Sequence, residues 1–183
     1  MAERSLADIC MDAIAERAGV GKGTLYRRFP ERASLYMALL DEDARALQEQ
    51  VIAGFGLPVM TSPRVFALRL LTELFDFVFR NREILSSAAS SHRAGPQRYD
   101  HPGHAWQRQS LMAFLRAATR KGELAASDLE ATAELLLAGL HPDLLEWLLS
   151  DSRTVEQLRT HYREAWAKQL GLGLAELAGS DRS

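Results

Sequence analysis

The sequence predicts an all-α protein, with a small N-terminal head of short helices followed by a larger helical bundle. Three observations carry that expectation. Alanine and leucine are abundant while valine, isoleucine and threonine are sparse, which favours helix over strand. Apolar residues recur at three- and four-residue spacing through most of the chain. Gly19, Gly21, Pro30, Gly54, Pro58, Pro63 and Gly122 interrupt those stripes where helices should stop or start.

Composition narrows the function classes. At 183 residues, 47% apolar and 25% charged, the chain can bury one sizeable core or two smaller ones. The net charge of −2 supplies no global field for nucleic acid, so any such attraction must be a local patch. A single cysteine, Cys10, cannot form an internal disulfide, which suits a reducing cytoplasm. The N-terminus has no apolar core of a signal peptide. No apolar run approaches the roughly 18 residues of a membrane span. The expectation is a cytoplasmic protein with no membrane partner.

The stretch from Cys10 to Phe29, CMDAIAERAGVGKGTLYRRF, opens the head. Met11, Ile14, Ala15 and Ala18 lie on one face of a short helix. Gly19 can take the left-handed conformation that ends it, and Val20 is expected to turn inward as an apolar plug. Residues 22–29 read as a second short helix, with Leu25 and Phe29 inward and Lys22, Thr24, Arg27 and Arg28 outward. Pro30 closes it. From Arg17 to Arg32 the basic residues are Arg17, Lys22, Arg27, Arg28 and Arg32, against Glu31 alone. Two short helices across a glycine-containing turn, the second cationic, form the helix-turn-helix pattern that presents positive charge to phosphates. The glycines around Lys22 are not a nucleotide loop. A Walker A loop needs Ser or Thr directly after the lysine, where Gly23 stands, and the dinucleotide fingerprint needs a preceding strand.

The segment IAERAGVGKGTLYRRFPERASLYMALL resembles the DNA-binding signature of the TetR family of transcriptional regulators. The likeness is close over the head and looser over the remaining helical layout. It implies that Thr24 and Tyr26 meet DNA from the recognition helix and that Lys22 stands at a base-reading position. Arg28 replaces the usual histidine, Arg32 the usual lysine, Gly21 a frequent serine, and Cys10 a common capping Thr or Ser. With Arg27, these give the expected DNA contacts Lys22, Thr24, Tyr26, Arg27, Arg28 and Arg32. The resemblance also places residues 1–4 at the last turn of the family's first helix. The expectation is either a start further upstream or a weakened head.

Residues 31–54 read as one longer helix, with Leu35, Tyr36, Leu39 and Leu40 toward the head and Ala44, Leu47, Val51 and Ile52 continuing the stripe. The domain expectation is therefore 1–50 for the head and connecting helix and 51–183 for a ligand-binding and dimerisation body. Ser62 and Pro63 should cap the next helix, which runs to Asn81 and is apolar on all but a narrow stripe of Arg69, Thr72, Glu73, Asp76 and Arg80. Residues 82–91 form a short helix and 92–103 a loop. Asp100, His101 and His104 invite a metal reading, but no ligand spacing supports one, so no metal or cofactor is expected. Residues 104–121 are helical up to Gly122, with Trp106, Leu111, Met112, Phe114, Leu115 and Ala118 inward.

Ser127 should cap a helix over 128–149, kinked or broken by Pro142, and a last helix spans 154–170 before a Gly- and Ala-rich tail. Their broad apolar stripes read as a four-helix seam between two copies, built from Leu136, Leu140, Leu144, Leu158, Tyr162 and Trp166. The resemblance implies the same homodimer. An apolar pocket for an unknown small-molecule effector is expected from Phe66, Leu70, Phe77, Trp106, Met112 and His141. No nucleophile elbow or metal spacing marks an enzyme. The function expected is a ligand-responsive regulator, a repressor that binds a near-palindromic double-stranded DNA operator. The alternative is a dimeric small-molecule-binding helical protein without DNA binding.

Overall fold

The structure, a computed structural model, describes residues 10–91, 102–125, 127–150 and 152–173. Among those residues the regular structure is all helix, with no strand. The order is α1 (Met11–Ala18), α2 (Lys22–Arg28), α3 (Arg32–Ile52), α4 (Pro63–Arg80), α5 (Arg82–Ser91), α6 (Pro102–Arg120), α7 (Leu129–Ala138), α8 (Pro142–Leu149) and α9 (Val155–Gln169). The chain divides into two compact units, Met1–Ala46 and Leu47–Ser183, with the boundary inside α3.

In the head, Met11, Ala15 and Leu25 are buried together, flanked by Ile14, Phe29 and Leu35. The turn between α1 and α2 depends on Gly19, at φ 66°, with the Val20 N–H donating to the Ala15 carbonyl at 3.0 Å. That left-handed conformation disfavours any residue with a Cβ. Val20 corrects the inward-plug expectation: it is 41% exposed, and Leu25 fills the small core instead. Leu6 and Ile9, apolar residues upstream of α1, lie outside the described residues. Leu39 is exposed rather than turned inward, beside buried Leu40, and Ile52 at the end of α3 is 86% exposed.

The body is organised around α4, which packs on α5, α6, α8 and α9. Ser62 caps α4 by accepting from the Arg64 N–H, and Pro63 occupies the first turn, as the sequence predicts. Leu68, Leu70, Leu71, Leu74 and Phe75 are almost wholly buried. Each contributes about 1.5–3 kcal/mol relative to exposure. The stripe of polar residues on α4 does not simply meet solvent. Thr72 is buried with its hydroxyl donating to the Leu68 carbonyl. Asp76 accepts a bidentate pair from the Arg159 guanidinium on α9, at 2.9 to 3.2 Å. Arg69 pairs with Glu73 one turn on.

The expected helix over 128–149 is two helices. Asp128, not Ser127, caps α7 by accepting from the Ala131 N–H. Pro142 begins α8 rather than kinking a continuous rod, because it has no N–H for the turn before it. A Cβ on Gly139 would stand 2.8 Å from the Tyr162 ring, so the ring needs a glycine there. The Tyr162 hydroxyl donates to the Gly139 carbonyl at 2.7 Å. Thr154 and Gln157 form a reciprocal capping box at the start of α9.

Most of the residues expected at a dimer seam are covered within one chain. Leu136, Leu140, Leu158 and Trp166 are buried within one chain, with Trp166 only 4% exposed. Tyr162 is half-buried, its ring tilted against Phe75 and edge-on to Trp166. The physical reason is that α4 and α8 pack on α9, and α6 on α7, so the chain covers most of those stripes itself. Of the six, only Leu144 is exposed.

Candidate nucleic-acid interface

The head sets α2 across the turn from α1. Lys22 is the first residue of α2 and Tyr26 stands one helical turn on, so their side chains share a face. Both reach Asp12 in the first turn of α1. The Lys22 ammonium donates to one Asp12 carboxylate oxygen at 2.5 Å, and the Tyr26 hydroxyl donates to the other at 3.4 Å. The ammonium beside Asp12 holds that carboxyl below its ordinary range, and the carboxylate raises Lys22 in turn. Tyr26 is raised by partial withdrawal from water and then by the Asp12 charge.

Thr24, Arg27 and Arg28 are exposed on α2, and the Arg28 guanidinium lies over the Phe29 ring at 5.5 Å from its centroid. Arg32 is half-exposed at the start of α3. Leu25 is the only buried residue of α2, so nearly the whole helix surface is open to a partner. All six residues expected to meet DNA thus lie on α2 or the first turn of α3. Asp12 was not among them. A charge count begun at Arg17 leaves it out, and the signal that finds it is an acid in the first turn of α1 that the turn folds back beside Lys22.

In the body, none of the six residues expected to line an effector pocket borders the described groove. Leu70, Phe77 and Met112 are core, and Phe66 stacks on Phe114 at 5.6 Å. Trp106 is half-buried on α6, and His141 stands 3.6 Å from Asp143. The groove, about 680 Å³ and open to solvent, lies between α7, α8 and α9. Leu136, Leu158 and Trp166 form part of its lining, and Leu135, Arg153 and His161 add to it. His104 pairs with Glu134 at 3.0 Å, while Asp100 and His101 lie outside the described residues. Among the described residues, no three His, Cys, Asp or Glu side chains gather as metal ligands. No described helix is long and apolar enough to cross a membrane.

Residues 1–39 match the family model for bacterial regulatory proteins of the tetR family. No curated protein matches the chain in sequence. Among solved structures, a TetR transcription regulator from Haloarcula marismortui superposes with a TM-score of 0.70 at 19% identity, covering 92% of this chain and 89% of that one. The TetR family regulator PfmR from Thermus thermophilus gives 0.62 at 13% identity, covering 91% and 90%. A candidate fatty acid metabolism regulator from Clostridium perfringens gives 0.62 at 20% identity, covering 90% and 89%. The head thus matches the TetR family model over residues 1–39, and the described residues share the all-helical fold of these TetR transcriptional regulators.

Proposed function

We propose that the protein is a ligand-responsive repressor that binds a near-palindromic operator as a homodimer. The observation that carries the reading is the exposed cationic surface of α2 on a TetR-type head. Two such helices related by a twofold axis would enter successive major grooves about 34–36 Å apart. Arg27, Arg28 and Arg32 hold phosphates, and Lys22, Thr24 and Tyr26 abut base edges. A small molecule bound in the helical body shifts the equilibrium only if it binds one arrangement of the heads better than the other.

The dimer surface is supported by what α7 and α8 leave uncovered. Leu135, which lines the open groove, is 72% exposed, and on α8 Trp147 is 68% exposed with Leu144 also exposed. Large apolar side chains left in water on both helices are the surface that a second copy would cover.

Selection of bound duplexes from a random pool tests the assignment, and an inverted repeat is the expected product. Arg27→Ala with Arg28→Ala should weaken binding to the selected duplex in a mobility-shift titration. The slope of log affinity against log salt should become shallower by about 0.9 for each phosphate contact removed. Unchanged affinity and slope would take α2 out of the interface. Recovery of small-molecule binding without any selected duplex would favour a helical binding protein instead.

A further inference from the structure

The carboxylate of Asp12 has no part in the contacts expected of the head, yet it sits on two of the residues that would make them. Its oxygens take Lys22 and Tyr26 at 2.5 and 3.4 Å. All three side chains are solvent-facing, so the cluster is not a buried structural pair. We propose that Asp12 is a specificity-determining residue, which occupies the Lys22 ammonium so that Lys22 is released to duplex DNA only where base edges offer acceptors in its place. The inference rests on the DNA-binding reading of α2.

The physical argument concerns what each partner offers Lys22. An ammonium on a flexible stem is a point charge that any phosphate attracts, and that attraction carries no sequence information. A carboxylate already in contact cancels most of that charge at distance. It also repels phosphate oxygens that approach the first turn of α1. Sequence-blind binding therefore loses one cation per head. A guanine in the major groove presents the O6 and N7 acceptors side by side, and lysine is one of the side chains that reads them. There the ammonium can exchange Asp12 for acceptors fixed in position. The released carboxylate stays beside the Tyr26 hydroxyl, and it can accept from a cytosine N4 amine, the donor that a neighbouring C·G pair shows in the same groove. The cluster thus trades affinity for any duplex against discrimination among duplexes.

The test uses the full-length protein and a random-sequence duplex of about 30 base pairs, long enough to hold two half-sites one helical turn apart. Asp12→Asn keeps the shape and removes the charge. It should tighten binding to this duplex about five- to tenfold at moderate salt. It should also steepen the salt slope by about 0.9 per head, the contribution of one more released counterion. Asp12→Asn with Lys22→Gln should return both quantities to wild-type values. A selection from random pools should give a less restrictive consensus for Asp12→Asn than for wild type. Asp12→Ser should behave as Asp12→Asn does, which guards against an effect peculiar to one side chain.

Random-duplex affinity and slope unchanged in both single variants would overturn the inference. So would a double variant that keeps the steeper slope, because the effect would then be direct repulsion and not sequestration of Lys22. The DNA-binding reading is judged separately. Arg27→Ala with Arg28→Ala must weaken the same duplex complex for it to stand. If wild type and every variant fail to bind duplex even at low salt, the reading and the inference fall together.

Discussion

Trp166→Ala should cost the body about 3–5 kcal/mol, the range for removing a large aromatic from a packed core. The indole is buried, its ring packs edge-on against Tyr162 at 5.2 Å, and its N–H donates to the Leu136 carbonyl at 3.1 Å. Truncation removes the packing and leaves that carbonyl without its donor, so two penalties act together. A change of this size is a large fraction of the stability of a domain. Urea unfolding followed by circular dichroism measures it. A loss below about 1 kcal/mol, ordinary for a peripheral site, would take the side chain out of the core. Substitution by aspartate at Trp166 or Leu158 should be worse, since it buries an unpaired charge. Such variants should unfold rather than yield folded monomers.

Leu135→Asp with Trp147→Asp should do the opposite: convert the proposed dimer to monomer while the fold survives. Both side chains are exposed within one chain, so their replacement should change its own stability by no more than about 0.5 kcal/mol. Across a twofold axis each substitution is made twice, and like charges brought together at a desolvated seam cost several kcal/mol. Sedimentation velocity should show a monomer, and the thermal transition of a single chain should be retained. Operator binding should weaken with it, because two half-sites are held by two linked heads. A variant still dimeric would move the seam off α7 and α8.

The two expectations separate what the sequence could show about these helices from what it could not. Apolar periodicity identifies the face that avoids water, and it correctly marks Leu136, Leu158 and Trp166 as covered. It does not say what covers them. The chain's own packing does so, and Leu135 and Trp147, which were outside the expected stripe, are left exposed. The head was more legible because its signals are local. Gly19 ends α1 and Gly21 precedes α2 through backbone preferences that act within a few residues. Ser62 with Pro63 at α4 was legible for the same reason. Where two residues far apart decide the outcome, periodicity is silent. Gly139 is required by a tyrosine 23 positions away, and Lys22 is claimed by an aspartate ten positions before it. Val20 shows the converse error, since an apolar residue in a turn has no obligation to be buried.

The bond from Tyr162 to Gly139 carries a consequence for alkaline solution. The break before Pro142 frees a carbonyl, and a phenol answers it only while it keeps its proton. Burial raises the Tyr162 pKa above its ordinary value of 10.0, so the neutral ring is the form the fold favours. Its contribution is complete below the unfolded-chain pKa and declines as pH climbs through the higher folded value. Base should therefore loosen the joint between α7 and α8 by turning its donor into a phenolate that the facing oxygen repels.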